Sequence, residues 1–432
     1  MTIQNLFSFL DKSPSAYHAV SEIETILQEN GFIKLNDNPS SPLLFGKNYY
    51  LTRNGSSVIA FRLPNETPKG IMIAASHSDS PTFKIKPNAE SEALGEYVKL
   101  NTERYGGMII PSWFDRPLSI AGRVAISTEF GIETRLVNLD SDLAVIPNVA
   151  IHMNRKINDG YAYNPAVDTM PLVASLSSGK HLTDLVAQAA HTTPDSILGH
   201  DLFLYCRQKA TLIGADNSFF LAPRIDNLEC AHATLGGFLE ASIGHSIAMY
   251  ALFDNEETGS ETKQGAASDF LTVVINRIVK AFRLDADSLL NNSMMLSADN
   301  AHACHPNHPE LSDRQNAPHM NRGIVIKYNA SQRYTTDGVS AALFKSICTK
   351  ANVKTQVFAN RSDMAGGSTL GSIASTRVSM KTVDIGLAQL AMHSACETAG
   401  VEDYLALIKA STIFFSTTLE TNGDAVRIEY AV

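Results

Sequence analysis

Two adjacent glutamates, Glu256 and Glu257, follow the apolar run of residues 247–253 and precede a Gly-Ser turn. Side-by-side carboxylates each raise the cost of ionising the other, so burying both without a counter-charge is unfavourable. A multivalent cation removes this cost, because one carboxylate can bind the metal while its neighbour accepts a proton from water. An isolated pair of glutamates is more often a solvated acidic turn, so other residues must decide between the two interpretations.

Four further segments carry histidine or aspartate; three follow an apolar run and one precedes a predicted helix. Their candidate residues are His77 with Asp79, Asp226, Asp299, and His393. Ligand sites in open α/β sheets gather outside the carboxyl ends of the strands, so these segments can converge. Without cysteine, the set is typical of a catalytic His/carboxylate zinc site. Alternatively, Asp79 could form an Asx turn. Asp226 could cap the predicted helix that begins at Leu228, a role that is compatible with metal ligation.

These segments need a scaffold of strands and helices. Apolar runs predict strands at residues 57–61, 71–75, 118–126, 133–137, 247–253, 294–296 and 323–328. Helical periodicity predicts helices at residues 14–30, 228–241, 271–282, 339–350 and 401–416. The pattern predicts an α/β catalytic domain (1–88 and 220–432) interrupted by a β-rich insert (89–219).

Composition restricts the class of protein without selecting a function. With 432 residues, 44% of them hydrophobic, the chain can bury a large core. A net charge of -9 without any Lys/Arg block argues against nucleic acid or an anionic membrane as partner. No apolar run approaches the ~20 residues of a membrane span, and the N-terminus does not resemble a signal peptide. The scattered cysteines lack a CxxC pair, so we expect free thiols and a cytoplasmic protein.

Taken together, the motifs resemble those of the aspartyl aminopeptidases, a family of co-catalytic zinc exopeptidases. The matching segments are 77–81 (HSDSP), 105–107 (YGG), 112–118 (SWFDRPL), 146–152 (IPNVAIH), 226–228 (DNL), 255–260 (NEETGS), 297–303 (SADNAHA), 332–334 (QRY) and 389–394 (QLAMHS). They occur in the family's order and cover nearly the whole chain. The resemblance implies a zinc-peptidase-like mixed sheet flanked by helices, an insert that serves as a dimerisation domain, and a closed tetrahedral homododecamer.

The resemblance also implies a role for each candidate metal ligand. Asp226 would bridge two Zn²⁺ ions in each subunit. His77 and Asp299 would complete the ligands of one ion, and Glu257 and His393 those of the other. Mn²⁺ or Co²⁺ could substitute for zinc, since they accept the same types of ligand.

Two further carboxylates would act beside these ligands. Asp79 would accept the free imidazole N–H of His77 and fix its orientation. Glu256 would be the general base of a two-zinc hydroxide mechanism that removes N-terminal residues from peptides. The resemblance further implies that the peptide bond between Asp226 and Asn227 is cis.

Other residues would contact the substrate. His152, in the insert, is a candidate donor to the tetrahedral oxyanion and could reach a neighbouring subunit's site; the alternative is ordinary packing in a strand. Lys327 and Tyr334 match positions linked to substrate binding, and the Lys327 cation would favour acidic N-terminal residues. The alternative for Lys327 is an exposed lysine at a strand end. His302 and His305 are further candidates, or they could only form hydrogen bonds within their loop.

Three other functions stay open. The sequence departs from the commoner family pattern at residues 329–331 and 361–369, so the preference could be broader or of leucine type. A zinc amidohydrolase of N-acyl amino acids would use the same ligands with a different pocket. The third alternative is an oligomeric shell that has lost catalysis, and the presence of Glu256 beside a complete ligand set argues against it.

Overall fold

The computed structural model describes residues 1–36 and 41–431, which form alternating strands and helices. The strands are β1 (Ile33–Lys34), β2 (Asn48–Arg53), β3 (Ser57–Arg62), β4 (Gly70–His77), β5 (Thr82–Ala93), β6 (Tyr97–Tyr105), β7 (Leu118–Thr128), β8 (Gly131–Asn138), β9 (Leu172–Ser175), β10 (Ile197–Cys206), β11 (Thr211–Ile213), β12 (Phe219–Ala222), β13 (Ser246–Phe253), β14 (Met294–Ala298), β15 (Ala301–His302), β16 (Ile324–Tyr328), β17 (Thr355–Ala359), β18 (Lys381–Gly386), β19 (Ala388–Leu390), β20 (Glu397–Gly400), β21 (Thr417–Asn422) and β22 (Ala425–Tyr430).

The α-helices lie mainly before and after the β-rich middle of the chain. They are α1 (Ile3–Lys12), α2 (Ala16–Glu29), α3 (Leu182–Ala189), α4 (Ile225–Glu240), α5 (Phe270–Phe282), α6 (Ala286–Asn291), α7 (Gly338–Lys350), α8 (Leu370–Arg377) and α9 (Val401–Phe415). None of the helices in the described ranges combines the length and the apolar composition that a membrane-spanning helix needs.

A mixed nine-stranded sheet supports the candidate site. Its strand order is β1-β2-β3-β13-β4-β14-β18-β16-β17 within the described residues. The neighbours β13, β4, β14 and β18 are parallel, which brings the residues that follow these strands to one edge of the sheet. Strands β4 and β13 are buried along their whole length, as their continuous apolar sequences require in a sheet covered on both faces.

Two apolar cores cover the two faces of this sheet. One core is formed with α1, α2, α4, α7 and α9 and includes Tyr250 and Phe414. The other is formed with α5 and α8 and includes Phe61 and Ile278. Helices α4 and α9 approach closely at Gly237, where a Cβ atom would lie 2.4 Å from the Cβ atom of Ser411. This arrangement confirms the predicted α/β fold class.

An antiparallel six-stranded sheet occupies the β-rich middle of the chain. Its order is β8-β7-β10-β5-β6-β9, and it packs on its own apolar core around Phe83 and Trp113. The predicted boundary between residues 88 and 89 falls inside β5, which pairs with this sheet from Thr82 onward. Strands β11 and β12 instead join a five-stranded sheet with β20, β19 and β15. The division into two domains itself stays a prediction.

Candidate metal centre

The five predicted metal ligands meet at one edge of the nine-stranded sheet. His77 ends β4, Asp226 lies in the first turn of α4, Glu257 follows β13, Asp299 follows β14, and His393 lies between β19 and β20. Asp226 lies between the two histidines: its Oδ1 is 3.5 Å from His77 Nε2 and its Oδ2 is 3.3 Å from His393 Nε2.

Each histidine also faces a second carboxylate. His77 Nε2 lies 3.7 Å from Asp299 Oδ1, and His393 Nε2 lies 3.4 Å from Glu257 Oε1. In the group His77, Asp226 and Asp299, and again in the group Asp226, Glu257 and His393, the ligand atoms lie within 4.8 Å of one another. The two groups share Asp226.

Asp226 lies within the span of α4, but its backbone angles (φ -79°, ψ 108°) and those of Asn227 are not helical. Its carboxylate faces the two histidines rather than the main-chain amides of the helix. The peptide bond between Asp226 and Asn227 is cis, as the resemblance implies. The Asn227 side chain donates a hydrogen bond of 2.8 Å to the carbonyl oxygen of Ala298, which ties the start of α4 to the end of β14.

Two buried carboxylate oxygens in the centre of the site have no hydrogen-bond donor among the described residues. They are Asp226 Oδ1 and Glu257 Oε1. A buried charged acceptor without a partner is unfavourable, and a cation supplies the missing partner. Imidazole and carboxylate ligands without thiolate are the set that zinc takes at catalytic sites. The residues present therefore fit zinc.

Burial and opposite charges shift the pKa values of the whole group. Burial disfavours the imidazolium forms of His77 and His393, but the neighbouring carboxylates outweigh it; they raise the pKa of His77 well above its ordinary value and that of His393 to about 10. Burial opposes ionisation of Asp226, yet the two histidines that face its carboxylate keep its pKa below the ordinary value. Burial raises the pKa of Glu257 strongly and that of Glu256 to about 8. Added positive charge would therefore favour the ionised glutamates.

Asp79 orients both His77 and the glutamate pair. The nearer acceptor for His77 Nδ1 is the main-chain carbonyl oxygen of Asp79, at 3.0 Å, whereas the carboxylate Oδ1 lies 3.4 Å away. The Asp79 carboxylate accepts hydrogen bonds from the amides of Glu256 (3.1 Å) and Glu257 (3.2 Å). It also accepts one of 2.7 Å from the Tyr105 hydroxyl. Its carboxylate therefore mainly holds the turn that carries the two glutamates.

A segment that follows β6 extends from the six-stranded sheet to the metal-ligand candidates. His393 Nδ1 lies 2.6 Å from the carbonyl oxygen of Gly107, and the Ile109 amide donates to the His393 carbonyl oxygen at 2.9 Å. A carbonyl only accepts, so Nδ1 carries the proton and Nε2 is left free for a metal. Gly106 has φ 75°, and a Cβ atom there would lie 3.1 Å from the Cβ atom of Glu257.

Glu397, the first residue of β20, was not predicted from the sequence. Its buried carboxylate accepts hydrogen bonds from the amides of Asp226 (3.0 Å) and His393 (2.7 Å). The side chain of Gln389 donates a third, of 3.3 Å. The signal that could have found it is an acidic residue four positions after His393, in a segment of small and apolar residues.

Lys327 and Tyr334 lie beside Asp299. Lys327 Nζ donates a hydrogen bond of 2.7 Å to the carbonyl oxygen of Asn300, lies 3.9 Å from Asp299 Oδ2, and is 5.5 Å from the centre of the Tyr334 ring. Only 3% of Lys327 is exposed, so the alternative of an exposed lysine at a strand end is wrong. The structure brings both residues to the metal-ligand group.

The other histidine candidates are exposed. The His302 ring, in β15, lies 6.0 Å from that of Phe358. His305 Nδ1 accepts a hydrogen bond of 3.2 Å from the amide of Asn307. This contact matches the alternative in which His305 forms hydrogen bonds only within its own loop. His152 lies in an exposed turn, so ordinary packing in a strand does not describe it, and it belongs to neither ligand group of its own subunit.

The fold and the site together define a metal-dependent hydrolase, with histidine and carboxylate ligands gathered at the edge of an α/β sheet. The model of one family, the aminopeptidase I zinc metalloproteases (M18), matches residues 9–415. The chain belongs to this M18 family of zinc aminopeptidases. It is therefore a metallo-aminopeptidase, and its predicted family is confirmed.

Relatives and solved structures agree over nearly the whole chain. The probable M18 family aminopeptidase 2 of Clostridium novyi is 42% identical over 422 residues, which cover 95% of this chain and 98% of the relative. The corresponding protein of Azotobacter vinelandii is 37% identical, covering 96% and 98%. The cryo-EM structure of the Ape4 and Nbr1 complex matches with a TM-score of 0.92 and 32% identity, covering 96% of this chain and 85% of that one. The mApe1 dodecamer of S. cerevisiae matches with a TM-score of 0.84 and 28% identity, covering 95% of both chains.

Proposed function

We propose that this aminopeptidase binds two Zn²⁺ ions that share Asp226 as a ligand. The observation that carries the proposal is the pair of ligand groups that meet at this residue, with His77 and Asp299 on one side and Glu257 and His393 on the other. Two oxygens without donors in the same group support it. Mn²⁺ or Co²⁺ would be accepted by the same ligands.

Glu256 is the general base in this proposal. When bound, the zinc ions would polarise the scissile carbonyl and acidify the attacking water. Glu256 has a carboxylate oxygen within 4.8 Å of the ligand atoms of His77 and Glu257, and Asp79 fixes its main chain. It takes the proton of the water that attacks the carbonyl carbon, and it returns that proton to the leaving amine.

The proposed substrates are peptides with an acidic N-terminal residue, and Lys327 is the cation that would recognise the side chain. Its burial beside Asp299 supports this role, since a charge-assisted contact is strongest where water is excluded. Lys327 already donates to the carbonyl oxygen of Asn300, however. This observation favours a second candidate function, a broader aminopeptidase that also accepts leucine-type residues.

Hydrolysis of a matched substrate panel tests the proposal. The panel contains aspartyl, glutamyl and leucyl anilides together with N-acyl amino acids, assayed with enzyme that contains zinc. We expect the highest kcat/KM for the acidic anilides and no hydrolysis of the N-acyl amino acids. A preference for the leucyl anilide would establish the second candidate, and hydrolysis of the N-acyl compounds would indicate an amidohydrolase.

The proposal extends to assembly and location. We propose a tetrahedral homododecamer, supported by the dodecameric state of the related mApe1 structure. Large exposed apolar side chains in the six-stranded region and its loops, such as Leu94, Phe130 and Met153, support contacts between subunits there. His152, beside Met153, would then donate to the oxyanion in a neighbouring subunit. The five cysteines are free thiols, which supports a reducing, cytoplasmic location.

A further inference from the structure

A carboxylate outside the metal-ligand set joins two segments that carry metal ligands. Glu397 is 2% exposed and stands at the first position of β20. Its Oε2 accepts a hydrogen bond of 3.0 Å from the amide of Asp226, and its Oε1 accepts one of 2.7 Å from the amide of His393. One side chain thus binds the main chain of both residues whose carboxylate and imidazole face each other at 3.3 Å.

The loop that carries His393 has a backbone conformation that surrounding contacts must stabilise. Ala391 and His393 have φ angles of 57° and 68°, in the left-handed region that residues with a Cβ atom rarely adopt. A backbone in this region persists where surrounding contacts determine it. Three hydrogen bonds hold His393: its amide donates to the Glu397 carboxylate, its ring donates to the carbonyl oxygen of Gly107, and its own carbonyl oxygen accepts from the Ile109 amide.

We propose that Glu397 is a positioning residue, which sets the separation between the shared ligand Asp226 and the ligand His393. The inference rests on the proposed function, because it presumes that both residues bind the same metal. Glu397 itself contacts neither metal nor substrate in this scheme; it acts through the two amides. Buried partners of this kind orient metal ligands and thereby tune metal affinity.

Only a carboxylate satisfies the donors around this position. Glu397 faces two main-chain N–H groups and the amide nitrogen of Gln389, so both of its oxygens must accept. A glutamine at position 397 would direct its NH₂ group at one of these donors. The side chain of Gln389 could rotate and present its oxygen, but the amides of Asp226 and His393 cannot. One ligand-bearing amide would therefore lose its acceptor.

Zinc affinity measured by competition with a chromogenic chelator tests this inference. The proteins are the wild type and the variants Glu397→Gln, Asp226→Asn and Glu402→Gln, each prepared metal-free. We expect Glu397→Gln to weaken binding of at least one zinc ion by about 10- to 100-fold, and to lower kcat at saturating zinc with KM changed less than about twofold. Glu402 is exposed in the next helix, and its variant should match the wild type.

The variants separate failure of this inference from failure of the proposed function. Wild-type zinc affinity in Glu397→Gln, with reduced affinity in Asp226→Asn, would overturn the positioning role alone. Wild-type affinity in Asp226→Asn would overturn the proposed metal centre. Thermal unfolding of the metal-free proteins and their oligomeric state show whether the variants fold.

A second variant gives a readout that a purely structural role would not change. Glu397 lines a cavity of about 240 Å³ that also borders Asp226, and this cavity can admit a small carboxylate. In Glu397→Ala, formate should restore zinc affinity in a concentration-dependent manner, while chloride at equal ionic strength should not. Absence of rescue in the folded variant would contradict the inference.

Discussion

At the scale of single residues, Glu256 and Glu257 are neighbours with different surroundings. Glu257 Oε1 faces His393 Nε2 at 3.4 Å, within a ligand group that includes Asp226. Among the described residues, Glu256 shares a group only with His77 and Glu257, although Asp79 holds the amides of both glutamates. These different surroundings support a role for Glu257 as a metal ligand and for Glu256 as the general base, although both side chains carry a carboxylate.

The proposed role of Glu256 as general base predicts the effect of replacing its carboxylate with an amide. Glu256→Gln keeps the shape of the side chain but cannot accept the proton of water, so kcat should fall by several decades while zinc content and assembly are retained. Steady-state kinetics and metal analysis measure this. The control is Glu261→Gln, an exposed residue after the same turn. Near-wild-type turnover in Glu256→Gln would exclude it as the base.

Lys327 allows a prediction about specificity. If Lys327 binds the carboxylate of an acidic substrate, Lys327→Met should lower kcat/KM for aspartyl and glutamyl substrates about 10- to 100-fold, since such a contact contributes ~1.5–3 kcal/mol. Activity on leucyl substrates should be retained or increased. Lys345→Met, on the exposed face of α7, is the matched control. An equal loss of kcat/KM for both substrate types would mean that Lys327 instead stabilises the Asp299–Asn300 segment.

At the scale of elements, α4 and α9 enclose a histidine that should make stability depend on pH. His232 Nδ1 lies 2.8 Å from the Tyr404 hydroxyl, and burial lowers the pKa of His232 to about 3. In the unfolded chain this pKa is about 6.5, so between these values the unfolded state binds the extra proton. The contribution of His232 to the free energy of unfolding is therefore fully present above pH 6.5. It is lost as the pH falls toward 3, by about 1.4 kcal/mol per pH unit.

The variant His232→Gln tests this dependence, because glutamine has no proton to gain. The difference in free energy of unfolding between the wild type and the variant should shrink by about 2 kcal/mol between pH 6.5 and pH 5. Urea unfolding at both pH values measures it, with the exposed His191→Gln as control. An unchanged difference would mean that His232 does not titrate in this way.

The elements predicted from periodicity are largely those observed, and the exceptions have physical reasons. The strand predicted at 247–253 and the helix at 401–416 are confirmed, because each carries a long, regular apolar pattern. Helix α8 was not predicted: it is short, rich in glycine, serine and threonine, and buries only Leu370, Gly371 and Ala374. Tertiary packing rather than its own pattern stabilises it.

The residues of the candidate site also differ in whether the sequence alone could predict them. His77, Asp226 and Asp299 could be selected from the sequence because polar residues at strand and helix ends converge in an open sheet. Their individual roles came from the resemblance to a family. Glu397 could not be assigned, because its role depends on two main-chain amides that lie far from it in the chain. The acceptor for the second nitrogen of His393, a carbonyl of another sheet region, is equally invisible in the sequence.

At the scale of the whole molecule, exposed apolar side chains gather near His152. Ile151 and Met153 flank it and are 48% and 83% exposed. A monomer with such side chains in water is unfavourable, and association of subunits would cover them. The His152 imidazole would then be carried on a surface that faces another subunit.

Subunit mixing tests whether His152 acts across that surface. Mixed oligomers of His152→Ala and Glu256→Gln should recover partial activity, because some sites combine an intact His152 from one subunit with an intact Glu256 from another. Each variant alone should stay impaired. Absence of recovery, with subunit exchange verified by differently tagged chains, would confine His152 to its own subunit.

The contact between His393 and Gly107 also has a consequence for how the enzyme is made. These residues are 286 positions apart, and the amide of Asp226 and the carboxylate of Glu397 are 171 positions apart. Contacts of such large sequence separation form late, after many shorter loops have closed. At a synthesis rate of ~5–20 residues per second, His393 leaves the ribosome on the order of ten seconds or more after Asp226. The growing chain therefore cannot complete its hydrolytic centre before His393 and Glu397 have been synthesised, so the enzyme should gain peptidase activity only after this late segment has joined the rest of the fold.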